Sequence, residues 1–302
     1  MAQINMQHVK ELRDRTQAGL NDCKVALQEA EGDMEKAVEV ILKKGLAKSA
    51  KRAGAVAAEG VVAARVSSDG RRGIIVEVNI QTDFAARNAD YLAFVEKVVE
   101  VALGAKPGSD LGSLPFPGGQ GTIEENRQAL VGRLGENITI RRWAQLEVKS
   151  GLVHPYVHMG GKVASLLAIE ADAAVAAKPE VKAFADNTTM HIAAMAPLCL
   201  TPSDVPDSEK QKQSVIYDAQ LAEEGKPENV RGKIIEGKIA KWMKEVCLLE
   251  QISVVDSEKT IGQQVQALGG IKITGFVRYD RGEGIEKKED NFALEAQKMA
   301  QG

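Results

Sequence analysis

The chain has 302 residues, of which 44% are hydrophobic and 4% aromatic, a composition that suits two or three compact units. Its 39 basic and 42 acidic residues leave a net charge of −3, which argues against the cationic field of a dedicated nucleic-acid binder. Three cysteines, Cys23, Cys199 and Cys247, lie far apart without a CxxC pair, which argues against a disulfide or zinc framework. Because the N-terminus lacks a targeting pattern and no window approaches about 20 apolar residues, we expect a cytoplasmic protein with no membrane partner.

The first 55 residues have the periodicity of three short helices. Val9 belongs to the first helix, and apolar residues from Leu20 to Ala30 mark the second. The third helix is predicted to begin at the N-cap residue Asp33 and to end at Gly45 after a cationic last turn. Three such helices predict a small bundle, followed by a linker at residues 53–55.

The middle of the chain contains an internal repeat with a spacing of roughly ninety residues. Each copy has two strands with alternating apolar residues, then two helices and a third strand. The first copy begins at Gly60 and ends with the strand at 137–141, and the second begins at Gly151 and ends with the strand at 270–274. Two β-β-α-α-β units that each bury one face of a sheet under helices predict an α+β fold.

The second copy is interrupted at about residues 200–255 by two segments with helical periodicity. They are joined by the turn Gly225-Lys226-Pro227, in which proline is suited to begin the second helix. We therefore predict an antiparallel helical hairpin that either pairs with itself or docks against another subunit. A last helix is predicted from Gly284 through Met299.

The chain is thus predicted to have five segments. They are a helical domain at 1–55, a core N-subdomain at 56–148, a core C-subdomain at 149–200 and 252–282, a helical hairpin (coiled-coil) insertion at 201–251, and a C-terminal helical module at 283–302.

Patterns that would indicate catalysis or metal binding are weak. The segment 232–239 fits GxxxxGK, but Ile239 stands where a phosphate-binding loop needs Ser or Thr to hold magnesium. His154 and His158 could meet on a turn, yet no third metal ligand stands nearby. There is no GxSxG, no HExxH and no cysteine with an evident base. We therefore expect no catalytic residue, no metal site and no cofactor.

The segment from Glu77 to Asn88, E-V-N-I-Q-T-D-F-A-A-R-N, runs from a strand into a turn that carries the aromatic residue Phe84. The equivalent position of the second repeat falls near Ala173 and Ala174, so the repeated unit itself does not require a phenylalanine. An aromatic side chain that its structural twin lacks is a candidate for insertion into a pocket of a partner. Periodicity alone favours the alternative, in which Phe84 packs under its own helix.

This segment resembles the elongation factor Ts signature E-x-N-x-Q-T-D-F-V-[A/S]-[K/R]-N. A second stretch, from Leu12 to Leu27, resembles the other signature of that family. The resemblance continues in order along essentially the whole chain, through residues 57–60, 135–138, 156–158, 248–251 and 282–287. Three residues depart from the family pattern: Ala85 replaces the usual valine, Asn21 replaces a commonly apolar residue, and Met159 is unusual after the histidine.

The resemblance implies a translation elongation factor that binds elongation factor Tu with GDP, displaces Mg²⁺ and promotes GDP release without chemical catalysis. It implies a ubiquitin-associated-like N-terminal bundle that contacts the partner's nucleotide-binding domain through Val9, Arg13, Leu20 and Lys24. The residues that match the segment that dislodges the partner's Mg²⁺ are Thr82, Asp83, Phe84 and Ala85. His158 matches a histidine that approaches the partner's phosphate-binding region, and the hairpin resembles a module that forms homodimers in some members.

Two other functions fit parts of the sequence. In the first, the chain is a passive interaction or adaptor module without exchange activity, in which the bundle binds a partner and the β repeats hold it. In the second, the chain binds RNA through the basic run Lys43, Lys44, Lys48, Lys51 and Arg52. Such a charge run is more often a solvated helix face, so we expect no direct nucleic-acid partner. An enzyme ranks below both.

Overall fold

The structure, a computed structural model, describes residues 5–16 and 18–286. Within these residues the helices are α1 (Met6–Thr16), α2 (Leu20–Glu29), α3 (Met34–Arg52), α4 (Ala89–Gly104), α5 (Ile123–Leu134), α6 (Ala173–Ala176), α7 (Pro179–Met195), α8 (Asp207–Glu223), α9 (Glu228–Val246) and α10 (Ile261–Leu268). The strands are β1 (Glu59–Val66), β2 (Arg72–Ile80), β3 (Ile138–Glu147), β4 (Gly151–His158), β5 (Val163–Ala171) and β6 (Ile271–Asp280). Two antiparallel sheets, with strand orders β1-β2-β3 and β4-β5-β6, confirm the α+β fold and its repeated unit.

The chain forms two compact units. Among the described residues, the first comprises those up to Val62, Val76–Arg142 and those at 280–286, and the second comprises Ala63–Ile75 and Trp143–Tyr279. The five predicted segments stay a prediction. The helix predicted within 283–302 falls mostly on residues 287–302, which lie outside the described residues.

The predicted three-helix bundle is formed by α1, α2 and α3. Asp33 caps α3 as predicted, because its carboxylate accepts the N–H of Lys36 at 3.0 Å. The bundle core consists of small and branched apolar residues: Val9, Leu12, Ala18, Cys23, Ala26, Leu27, Ala30 and Ala37.

The predicted end of the third helix at Gly45 is wrong, because α3 continues to Arg52. Gly45 lies where α3 crosses α5, and a Cβ atom on Gly132 would lie only 2.8 Å from the Cα atom of Gly45. Two residues without side chains thus let the helix backbones approach closely. Beyond α3, the Nδ2 of Asn137 donates a hydrogen bond to the carbonyl of Ala55 at 2.9 Å, so the predicted linker is tied to the first unit.

The helix crossing predicts that Gly132→Ala lowers the free energy of unfolding by about 1–3 kcal/mol, the usual cost of forcing extra atoms into a packed site. Alanine is otherwise the better helix residue, so the control Gly237→Ala, on α9 with open space around it, should raise the same free energy by about 1 kcal/mol. Denaturant unfolding of the two variants measures both. If Gly132→Ala stabilised the protein as much as Gly237→Ala, the close approach of α3 and α5 at Gly45 and Gly132 would be contradicted.

In the first unit, α4 packs against apolar residues of β2. The residues Val76, Val78 and Ile80 of β2 are buried. Tyr91 on α4 is buried with them, and its hydroxyl donates to the carbonyl of Val78 at 2.7 Å. Asn88 caps α4 by accepting the N–H of Asp90 at 2.8 Å.

In the second unit, β4 and β5 pair antiparallel from Gly151 opposite Glu170 to His158 opposite Val163. The core of this unit is formed by Leu167, Ile169, Val181, Phe184, Ala185, Ile192, Leu248, Ile261, Ile271 and Ile273. The helices α8 and α9 pack against each other, which confirms the predicted hairpin. The GxxxxGK segment lies wholly within α9 and therefore has a helical rather than a phosphate-loop conformation.

Two cysteines that are distant in sequence lie together at the base of the hairpin. The Sγ atoms of Cys199 and Cys247 are 3.4 Å apart, and both residues are free thiols. Burial raises the pKa of Cys247 to about 12 and also raises that of Cys199. Both thiols are therefore protonated near neutral pH.

Candidate functional site

The turn that follows β2 carries the aromatic residue singled out in the sequence. Phe84 is 81% exposed, so the alternative in which it packs under its own helix is wrong. The next residues, Ala85–Arg87, form a short 3₁₀-helix in which Ala86 is buried, and Asn88 then begins α4. The backbone of the turn thus packs against the unit while the ring of Phe84 faces solvent.

Hydrogen bonds on both sides of Phe84 fix the backbone of this turn. The N–H groups of Ala85 and Ala86 donate to the hydroxyl and the carbonyl of Thr82, at 3.2 and 3.1 Å. The N–H of Arg87 donates to the carbonyl of Phe84 at 3.2 Å. Asp83 and Arg87 form an exposed ion pair at 3.0 Å, which adds little stability by itself.

The buried carboxylate of Glu77 on β2 accepts hydrogen bonds from donors in three parts of the first unit. It accepts from the Nδ2 of Asn79 at 3.0 Å, the N–H of Gly282 at 2.7 Å, the Nη1 of Arg141 at 3.0 Å and the Nε of Arg142 at 2.6 Å. Burial would raise the pKa of Glu77, but these donors outweigh burial and hold the pKa below its ordinary value. Glu77 is therefore a charged group inside the unit that fixes β2, β3 and the segment at 280–286.

In the bundle, three of the four predicted contact residues lie on the surface. Arg13 on α1 and Lys24 on α2 are exposed, and Leu20, one helical turn before Lys24, is 48% exposed. Val9 is buried in the bundle core, so its side chain cannot contact a partner in this conformation.

The third helix of the bundle adds an apolar surface that the sequence analysis missed. Leu42 is 51% exposed, and Leu46, four residues later, is 47% exposed. Both are thus available to a partner on one face of α3.

His158 stands at the end of β4 in the second unit, where it is exposed. Its Nδ1 lies 2.8 Å from the hydroxyl of Tyr156, and the two rings stack with centroids 5.8 Å apart. The next residue, Met159, is 72% exposed and adopts the left-handed conformation with φ of 47°, which is uncommon outside glycine. Tyr156 was not predicted to act with His158, although the spacing of two along a strand places both on one face.

The metal-site alternative finds no support in the positions of the two histidines. The Nε2 of His154 lies 2.6 Å from the carboxylate of Asp186, while His158 contacts Tyr156. Among residues 5–16 and 18–286, no three His, Cys, Asp or Glu side chains converge as metal ligands. In the same part of the chain, no helix has the length and apolar character needed to cross a membrane.

Three of the five residues of the basic run on α3 form ion pairs within the bundle. Lys43, Lys44 and Lys48 form ion pairs with Glu39, Glu29 and Asp22, at 3.8, 2.7 and 3.0 Å. These pairs favour the interpretation as a solvated helix face over that as an RNA-binding surface.

Comparison with known proteins agrees with the resemblance found in the two signature segments. A family model described as Elongation factor TS matches residues 81–283. Elongation factor Ts of Clostridium botulinum (strain Alaska E43 / Type E3) is 44% identical over 303 residues, covering 98% of this chain and 99% of that protein. Elongation factor Ts of Clostridium acetobutylicum is 43% identical over 305 residues, covering 99% of each. The chain therefore belongs to the elongation factor Ts family.

Proposed function

We propose that this chain is a guanine nucleotide exchange factor that binds elongation factor Tu carrying GDP, displaces its Mg²⁺ and promotes GDP release so that GTP can bind. The observation that carries the proposal is the exposed ring of Phe84 on a turn fixed by hydrogen bonds. Membership of the elongation factor Ts family supports the choice of partner.

Insertion of a side chain near the partner's Mg²⁺ site would readily weaken Mg²⁺ binding. Mg²⁺ demands near-ideal octahedral geometry, so a small displacement of the groups around it is costly. In our proposal the segment Thr82–Ala85 dislodges the partner's Mg²⁺, with Phe84 wedged between helices of the partner and Asp83 beside it. The chain itself makes and breaks no covalent bond, so it is not an enzyme in the chemical sense.

Release of GDP follows from a difference in binding. If the chain binds nucleotide-free Tu more tightly than Tu with GDP, thermodynamic reciprocity requires that the bound chain weakens GDP binding by the same factor. Burial of one aromatic side chain contributes about 1.5–3 kcal/mol, or about one to two powers of ten in affinity. Other contacts must therefore supply any larger factor.

We assign these other contacts to surfaces in both units. Arg13, Leu20 and Lys24 are available on the bundle for the partner's nucleotide-binding domain, and Val9 supports them through core packing. His158 is available at the end of β4 for the partner's phosphate-binding region. We further propose a cytoplasmic location and homodimerisation through the hairpin of α8 and α9.

The decisive measurement is stopped-flow release of fluorescent GDP from Tu with and without this protein. We expect faster release in its presence, and dissociation of the complex when GDP and Mg²⁺ are added. A complex that forms without accelerating release, and that GDP and Mg²⁺ do not dissociate, would identify a passive adaptor instead. Direct binding of the chain to RNA, with an affinity that falls steeply as the salt concentration rises, would favour the nucleic-acid alternative.

A further inference from the structure

We propose that Glu136 is a positioning residue for Phe84, an inference that rests on the proposed function only for its consequence in nucleotide exchange. The two oxygens of the Glu136 carboxylate bind both donors of one residue, Thr82. Oε2 accepts the N–H of Thr82 at 3.0 Å, and Oε1 accepts its hydroxyl at 2.7 Å. Hydrogen bonds to an ionised acceptor are roughly twice as strong as neutral ones, so this contact is a strong restraint for a surface turn.

The end of α5 brings Glu136 to this position. Gly135 closes α5 in the left-handed conformation, with φ of 74°, and the chain then enters β3. Two consecutive residues at this joint hold two consecutive residues of the turn, because the N–H of Asn137 donates to the Oε1 of Gln81 at 2.6 Å. The joint between α5 and β3 therefore supports the base of the turn that carries Phe84.

The restraint passes from Glu136 to Phe84 through the hydroxyl of Thr82. Because that hydroxyl gives its hydrogen to Glu136, its oxygen faces the turn as an acceptor for the N–H of Ala85. Phe84 lies between these bonded residues and, at 81% exposure, has few contacts of its own that could fix its direction. The backbone that Glu136 holds therefore sets the direction in which the Phe84 side chain leaves the turn.

The fixed conformation of the turn should increase the affinity of the chain for its partner. A side chain that is already oriented loses less conformational entropy when it enters a partner, so preorganisation increases affinity without a new contact. Removing Glu136 should leave Phe84 present but less often in the productive orientation. Its effect on exchange cannot exceed the effect of removing Phe84 itself.

The structural test does not require a partner. We expect Glu136→Ala to speed amide hydrogen exchange at Thr82 and Ala85 at least about threefold, the factor that one ordinary net hydrogen bond provides. Thr82→Val, which replaces the hydroxyl with a methyl group and so removes the acceptor of the Ala85 N–H, should do the same at Ala85 and serves if Glu136→Ala does not fold. The control Glu100→Ala removes a glutamate of the same unit that pairs with Lys97 on the surface of α4, and it should leave the turn unchanged. Unchanged exchange at both amides in a folded variant would overturn the proposal.

The functional test is a double-mutant cycle with Phe84→Ala. Glu136→Ala should slow stimulated GDP release about threefold in the presence of Phe84 and have no further effect in the Phe84→Ala background. Additive effects in the double mutant would show that Glu136 acts independently of Phe84 and would overturn the proposal. If the unmodified protein does not stimulate release at all, the exchange function fails, while the hydrogen-exchange result still decides whether Glu136 holds the turn.

Discussion

Replacing Phe84 with alanine will leave the fold intact and slow stimulated release of labelled GDP from elongation factor Tu at least about tenfold. The fold should survive because the ring is 81% exposed and contributes little packing in the free protein. The loss of activity should be large because a buried aromatic side chain at an interface is worth roughly 2 kcal/mol, and about 1.4 kcal/mol corresponds to a factor of ten.

A matched control separates insertion of Phe84 from general loss of apolar surface. Leu92 is a partly exposed apolar residue on α4 of the same unit, outside the turn. Leu92→Ala should therefore stimulate GDP release from Tu at the rate of the unmodified protein, and circular dichroism should show that both variants are folded. Normal exchange by the Phe84 variant would remove this residue from the mechanism.

Glu77→Gln will lower the free energy of unfolding by about 3 kcal/mol, the cost of breaking a buried ion pair from one side. All four groups that bind the Glu77 carboxylate are N–H donors. A glutamine of the same size would place its own NH₂ group among these donors and leave Arg141 and Arg142 without their buried counter-charge. Denaturant unfolding at neutral pH measures the loss.

The pH dependence of this loss provides an independent check. Because the pKa of Glu77 is lower in the folded protein than in the unfolded chain, its contribution to stability is complete well above about pH 4.3 and is lost as the pH falls through the folded value. The difference in the free energy of unfolding between the unmodified protein and Glu77→Gln should therefore become smaller at acidic pH.

The control Glu147→Gln removes the surface partner of Arg72 and should cost only about 0–1 kcal/mol. A loss for Glu77→Gln as small as that of this control would show that the buried cluster does not stabilise the unit.

Caps and periodicity predicted most of the helices and strands, because both depend on neighbours within one or two turns. Asp33 and Asn88 begin helices where their side chains can accept nearby N–H groups. The same local reasoning failed at Gly45. The sequence around a glycine that follows a cationic turn is the same whether the glycine ends a helix or lies where two helices cross. Here the distant residue Gly132, which packs against Gly45, shows that the glycine lies at a crossing.

In the candidate site, too, local sequence predicted some features and distant contacts determined the others. The order of residues in the signature was sufficient to identify the segment around Phe84 and the family. Whether Phe84 would be buried or exposed could not be predicted, because exposure depends on whether another element covers the turn. The pairing of Thr82 with Glu136, 54 residues away in sequence, arises because β2 and β3 are neighbours in the sheet.

The amino-acid sequence alone thus decided where most of the helices and strands lie, that the β-β-α-α-β unit occurs twice, and to which family the chain belongs. The tertiary structure alone decided that Phe84 faces solvent, that Val9 does not, and that Glu77 and Glu136 hold the signature segment in place. The physical reason is the separation in sequence between the residues that interact. Periodicity and capping are set by residues close in the chain, whereas burial and ion pairing depend on which distant residues the fold brings together.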